Sequence, residues 1–303
     1  MPAYISHAIM MENLYKDVFR DKKVFPIEVN IDELKTFSLG IDLSVMARGF
    51  YANPHREDTH DFFISMIDYI KINHLEDNPH ALAVLYGHIA HYFFDIIAHP
   101  FIYHLDLSTK SVNILISNHH LIEGYLDSYL TRKILKKDIM DINESYFSLT
   151  NLNNEIIKNI IDYAYDKVYR YKRMHLGYQD TLNALITLER ICKESFLTKN
   201  DLINLSGYRN YMMVNKLSSN DLHNEESSDY INPFNGDTYH DSFLTMFYQA
   251  VYMTENAICE VNRYLHNSCS KTVIDKVFRD ISYDTGLPCS QGFNPKYLKK
   301  TKC

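Results

Sequence analysis

Tyr86–His104 reads YGHIAHYFFDIIAHPFIYH and sets His88, His91, Asp95, His99 and His104 in a run otherwise mostly aromatic and aliphatic. At about 100° per residue, with His88 as zero, His91 falls near 300°, Asp95 near 340° and His99 near 20°. These four share one stripe roughly 80° wide on a helix. The other faces carry Ile89, Phe93, Phe94, Ile96 and Ile97. A helix apolar nearly all round is a buried one, so the stripe points into the protein or into a cleft. Buried imidazoles and carboxylates are costly unless hydrogen-bonded, paired or metal-bound. A single histidine there is more often a satisfied core residue. H-x3-D-x3-H on one face favours metal, because residues four apart can reach the same ion.

The rest of the chain is consistent with a helical protein. It has 303 residues, 46% of them hydrophobic, with only 9 Gly and 8 Pro, too few for a fold of strands and tight turns. Periodicity predicts helices near 8–20, 30–47, 57–74, 78–103, 113–137, 152–174, 178–195, 199–215, 239–267 and 270–280. Thr150 and Ser270 are candidate N-caps and Pro79 suits a first turn. Pro100 is expected to kink or end the long helix. Residues 218–240, with N-P and N-G signals, read as a surface loop. The tyrosine-rich stretch Ile161–Tyr178 reads as a helix packing its rings. The architecture expected is all-α: a single multi-helix domain over 1–285, with an irregular tail over 286–303.

A net charge of −7 disfavours a surface specialised for nucleic acid or anionic lipid. No apolar run reaches the 18 or so residues of a spanning helix, and the first residues lack a signal-peptide pattern, so a cytoplasmic location is expected. The five cysteines all lie in the last two-fifths, form no C-x2-C pair, and fit reduced thiols. Histidine is distributed oppositely, with eleven of 15 in the first 120 residues. Downstream of the central helix, His119 and Glu123 stand four apart in NHHLIEGYLD, placing an imidazole beside a carboxylate as a zinc pair requires. Upstream lie Gly40–Asp42 in SLGID, His60 in EDTHDFF, and His7 on the apolar side of the first helix.

Taken in order, these residues resemble the bacterial zinc-dependent phospholipase C family, related in fold to zinc-dependent single-strand nucleases. The family's H-x3-D with a nearby His is similar to His91, Asp95 and His99, and its later H-x3-E to His119 and Glu123. Its early G-x-D and following histidine resemble Gly40–Asp42 and His60, and its N-terminal histidine resembles His7. The resemblance implies one zinc on Asp42, His60, His91 and Asp95, and a second on His99, His119 and Glu123. A third would be bridged by Asp95 and would take His7. Histidines 55, 74, 80, 88, 104 and 120 are expected to be structural or supporting.

Three carboxylates against two or three Zn²⁺ leave a local charge of about +1 to +3, a place for phosphate in an acidic protein. The expected activity is therefore metal-dependent phosphoric ester hydrolysis, phospholipase C-like, by a metal-activated water. Asp42 is the candidate base, and the substrate a phosphoester such as a phospholipid head group. Two alternatives stand beside it. One is an HD-type phosphohydrolase built on His60–Asp61, and the other a non-catalytic metal-binding helical scaffold.

Overall fold

The computed structural model describes residues 4–16, 27–108, 118–142, 150–194 and 222–297. Its centre is α4 (Pro79–Ser108), against which the helices α1 (Tyr4–Leu14), α2 (Ile31–Phe37), α3 (Thr59–Ile72), α5 (Asn118–Leu130), α6 (Glu155–Tyr169) and α8 (Phe243–Leu265) all pack. The helix α7 (Met174–Glu194) packs on α6 and on a 3-10 turn at Gly40–Ser44, and α9 (Lys271–Val277) packs on α8. Strand β1 (Tyr230–Ile231) pairs antiparallel with β2 (Thr238–Tyr239) in a short hairpin, the one sheet among the described residues. The all-α expectation holds.

Helix α4 is apolar enough to cross a membrane, and is the one such helix among the described residues, but 89% of its apolar window is buried inside the protein. It is a core helix. Phe94 packs on Phe243 and Phe247, Phe93 faces Phe278, and Phe101 meets Tyr230. Gly87 lets α2 approach closely, since a Cβ there would lie 2.5 Å from the Phe37 carbonyl carbon.

Pro100 does not end α4, which continues to Ser108. Proline lacks the N–H that would bond the Ile96 carbonyl one turn back. Gly286, at φ +66°, lies over that carbonyl; a Cβ there would sit 2.6 Å from the oxygen.

Other boundaries shift in informative ways. The helix expected from 152 begins at Glu155, capped by Asn154 and not Thr150. Pro79 opens α4, and Ser270 precedes α9 without a capping hydrogen bond. Part of the expected loop at 218–240 is the hairpin, held by buried Tyr230 and Phe234. The helix expected at 199–215 lies outside the described residues. In the tyrosine-rich stretch, Tyr165 and Tyr178 are buried, and Phe50, Phe62, Tyr165 and Tyr169 pack edge to face or tilted. The stretch packs rings, as expected.

His88, the first histidine of the opening segment, belongs to this core. Its Nδ1–H donates to the Val84 carbonyl at 2.7 Å, so Nε2 accepts from the Tyr178 hydroxyl at 2.9 Å. Burial pushes its pKa down to about 4 from 6.5. A buried imidazole with a lowered pKa contributes no penalty above pH 6.5. Stability falls as pH drops through 6.5, while only the unfolded chain takes up the proton, and levels off near pH 4. We expect His88→Gln to lose roughly 2–3 kcal/mol less than wild type between pH 7 and pH 4.5, both chelator-treated and followed by urea unfolding. Equal losses would show that His88 is not a source of acid lability.

Candidate metal centre

The stripe on α4 faces α1, α5 and the Gly40–Ser44 turn, and three groups of ligand-type atoms assemble there, each within 4.8 Å: His7, His91 and Asp95; Asp42, His55 and His91; and His99, His119 and Glu123. Each depends on local structure. His7 is carried by α1, and the N-terminus of α1 is clasped by Asp127 of α5. The Asp127 Oδ1 accepts from the Ser6 N–H at 2.8 Å, and Oδ2 accepts from the Ile5 N–H at 3.3 Å. Two N–H groups that no carbonyl could reach at a helix start are thereby satisfied from a distant helix. Burial pushes the Asp127 carboxyl up to about 7 against these donors.

Asp42 comes from the 3-10 turn, and Gly40 sets its approach. Gly40 has φ +52°, and a Cβ there would lie 2.4 Å from the His91 ring. Both the backbone conformation and the space require glycine.

Asp95 is 4% exposed and central. Its Oδ1 is 3.2 Å from His7 Nε2, and its Oδ2 is 3.2 Å from His91 Nε2 and 3.7 Å from His99 Nδ1. Burial resists its ionisation, but the imidazoles of His91, His99 and His7 hold its carboxyl down to about 2. His91 is pushed down to about 3 by burial. Glu123 is held well below the carboxylate range despite burial, by His119, His120 and His99. Its Oε1 lies 3.1 Å from His119 Nε2 and 3.3 Å from His99 Nε2.

Glu123 is hydrogen-bonded to His99 and His120, but the centre of the cluster is not satisfied in this way. Both ring nitrogens of His91 and the Oδ2 of Asp95 are buried and lack a hydrogen bond in spite of their 3.2 Å separation. Convergent donors that do not satisfy each other are what a shared cation requires. The supporting contacts agree. His99 donates Nδ1–H to the Tyr283 carbonyl at 3.0 Å, which leaves the Nε2 lone pair toward His119 and Glu123. Imidazole and carboxylate donors suit zinc.

The structure brings together seven of the eight residues expected at the site: His7, Asp42, His91, Asp95, His99, His119 and Glu123. His60 is not among them. It sits in the first turn of α3, with its Nδ1 bonded to the Phe278 carbonyl and its Nε2 4.0 Å from Asp275. His55, expected to be structural, stands in its stead, with Nε2 2.9 Å from Asp42 Oδ1. Thr59 and His60 open a helix that packs against the chain's C-terminal region, whereas His55 lies in the preceding loop. The His55 carbonyl accepts from the Tyr283 N–H at 2.8 Å and from Ser282 Oγ at 3.0 Å. The sequence signal was the turn-forming NPHRED, which keeps His55 outside the helix. Among the described residues His60 joins no group of ligand-type atoms such as an HD-type site needs. His104 also points elsewhere, donating to the Ile231 carbonyl at 2.9 Å.

A helical fold with a buried cluster of imidazoles and carboxylates on its central helix defines the class of a candidate metalloprotein. Residues 1–173 match a family described as zinc dependent phospholipase C, and the chain belongs to that family. No curated protein and no solved structure matches it. Family and clusters together support a metal-dependent hydrolase with zinc as its metal.

We expect His55→Ala to lose close to one zinc equivalent by elemental analysis and His60→Ala to lose none. His91→Ala should lower zinc content and the zinc-dependent rise in Tm together, since it stands in two of the three groups. Full zinc content in His91→Ala would contradict the assignment.

Proposed function

We propose that the protein is a zinc-dependent phosphodiester hydrolase of phospholipase C type, with two or three zinc ions and Asp42 as the general base. The observation that carries this reading is the convergence of three His/carboxylate groups on one helix stripe, with both His91 ring nitrogens and Asp95 Oδ2 at their centre lacking hydrogen bonds. When bound, zinc supplies Lewis acidity toward phosphoryl oxygens and lowers the pKa of water.

The chain's own residues supply the rest. His7, His91, Asp95, His99, His119 and Glu123 would hold the ions in a largely buried setting, where electrostatic stabilisation of phosphoryl charge is strong. Asp42 and His55 are more open than Asp95 and His91, with side chains 12% and 24% exposed against 6% and 0%. Burial disfavours charge on Asp42, but the hydrogen bond from His55 holds its carboxyl well below the usual range in the metal-free protein. Were His55 to offer its Nε2 lone pair to a zinc ion, it could no longer donate that hydrogen bond. An Asp42 carboxylate oxygen not committed to metal would be available to take the proton of an attacking water. Asp95 is the poorer base, because imidazoles press on both of its oxygens.

Asp42→Asn keeps the shape and removes the basicity. Its zinc at the His119–Glu123 group should be near normal, and its turnover of bis(p-nitrophenyl) phosphate lower by on the order of a hundredfold or more. Wild-type turnover by Asp42→Asn would end the assignment. A wild-type protein that binds zinc but hydrolyses no phosphodiester or phospholipid would favour the non-catalytic scaffold.

A further inference from the structure

Among the described residues, Arg56 stands near the His99–His119–Glu123 group. Arg56, next in sequence to His55, donates through Nε to Asp284 Oδ2 and is also hydrogen-bonded to the Tyr103 hydroxyl. Its guanidinium carbon lies 3.8 Å from the centre of the Phe293 ring. Tyr103 is the link to the centre: its ring is 4.5 Å from that of His119 and 6.0 Å from that of His99. Phe293 and Phe234 complete an aromatic wall, at 5.1 and 5.5 Å from Tyr103. Asp284 is nearly buried at 10% of its side chain, whereas Arg56 is 36% exposed. The pair therefore presents its cationic member outward.

An aromatic wall beside a phosphoester centre could accept a quaternary ammonium by cation–π attraction. Here Arg56 already covers a face of Phe293 and would repel a second cation. A guanidinium has five donors, and Asp284 and Tyr103 leave some of them free for hydroxyl or anionic acceptors.

Resting on the phosphodiester-hydrolase reading, we propose that Arg56, held by Asp284 and Tyr103, determines specificity. It favours phosphoesters with a hydroxyl-rich or anionic group beyond the phosphorus and disfavours choline-like ones. Arg56 and Tyr103 lie within the family-matched residues 1–173, whereas Asp284 and Phe293, which hold and stack on Arg56, lie beyond them.

The test is calorimetric binding of myo-inositol 1-phosphate and of phosphocholine to the zinc-loaded full chain, with zinc content checked throughout. Wild type should bind the inositol phosphate about tenfold more tightly, the effect of one partly screened charge. Arg56→Gln should bring the two affinities together with zinc content unchanged. Asp284→Asn, which loosens Arg56 without removing it, should narrow the gap and serves if Arg56→Gln does not fold. Equal affinities in wild type, an undiminished preference in the variants, or no binding of either ester would overturn the proposal. Selective binding that depends on Arg56, without turnover of any phosphodiester or phospholipid tried, would overturn the hydrolase reading and leave this one standing.

Discussion

A carboxylate placed in the middle of a helical core, at Asp95, is the constraint around which this protein is arranged. Alone, it would be untenable at 4% exposure. It is tolerated because imidazoles from two helices surround it: His7 from α1, and His91 and His99 from its own helix, one turn to either side. Even so, hydrogen bonds within the protein do not satisfy the cluster. The fold therefore holds a site whose electrostatic completion comes from outside the polypeptide, and metal binding and folding are coupled through it.

Much of the surrounding structure serves to bring other elements up to that stripe. Gly40 lets the Asp42 turn lie against the His91 ring. Asp127 anchors the start of α1 and with it the position of His7. Pro100 leaves α4 intact but frees a carbonyl, and Gly286 closes over it, which brings the Tyr283 backbone within reach of His99. None of these residues need touch a metal, yet each fixes the direction of one that would. Precise placement of this kind is what separates a competent centre from a loose one.

The helical fold was legible because most of its helices carry a clear apolar period, and α4 carries an ionisable stripe on top of it. The i, i+4 spacings of His91, Asp95 and His99, and of His119 and Glu123, could be read directly, since helix geometry alone puts such pairs side by side. Contributions from loops could not be read this way. His55 and His60 are five residues apart, and choosing between them requires knowing where α3 begins and what Phe278 and Tyr283 do from more than two hundred residues away. The Tyr283 carbonyl, Asp284 and Arg56 were invisible for the same reason: long-range backbone contacts and ion pairs leave no period in the sequence. The half-buried hairpin at 230–239 was also missed, because its turn signals are those of any surface loop.

The carbonyl of His55 is held by Ser282, 227 residues later in the chain. Synthesis runs from the other end, so every histidine and carboxylate of the centre leaves the ribosome well before the segment that clasps it. Until that segment docks, the His55 loop lacks its clasp and Arg56 lacks its Asp284 partner. Non-local pairing of this sort is intrinsically late and slow in folding. The finished centre is thus a product of the completed chain, and a nascent polypeptide carries the ligands without the closed site.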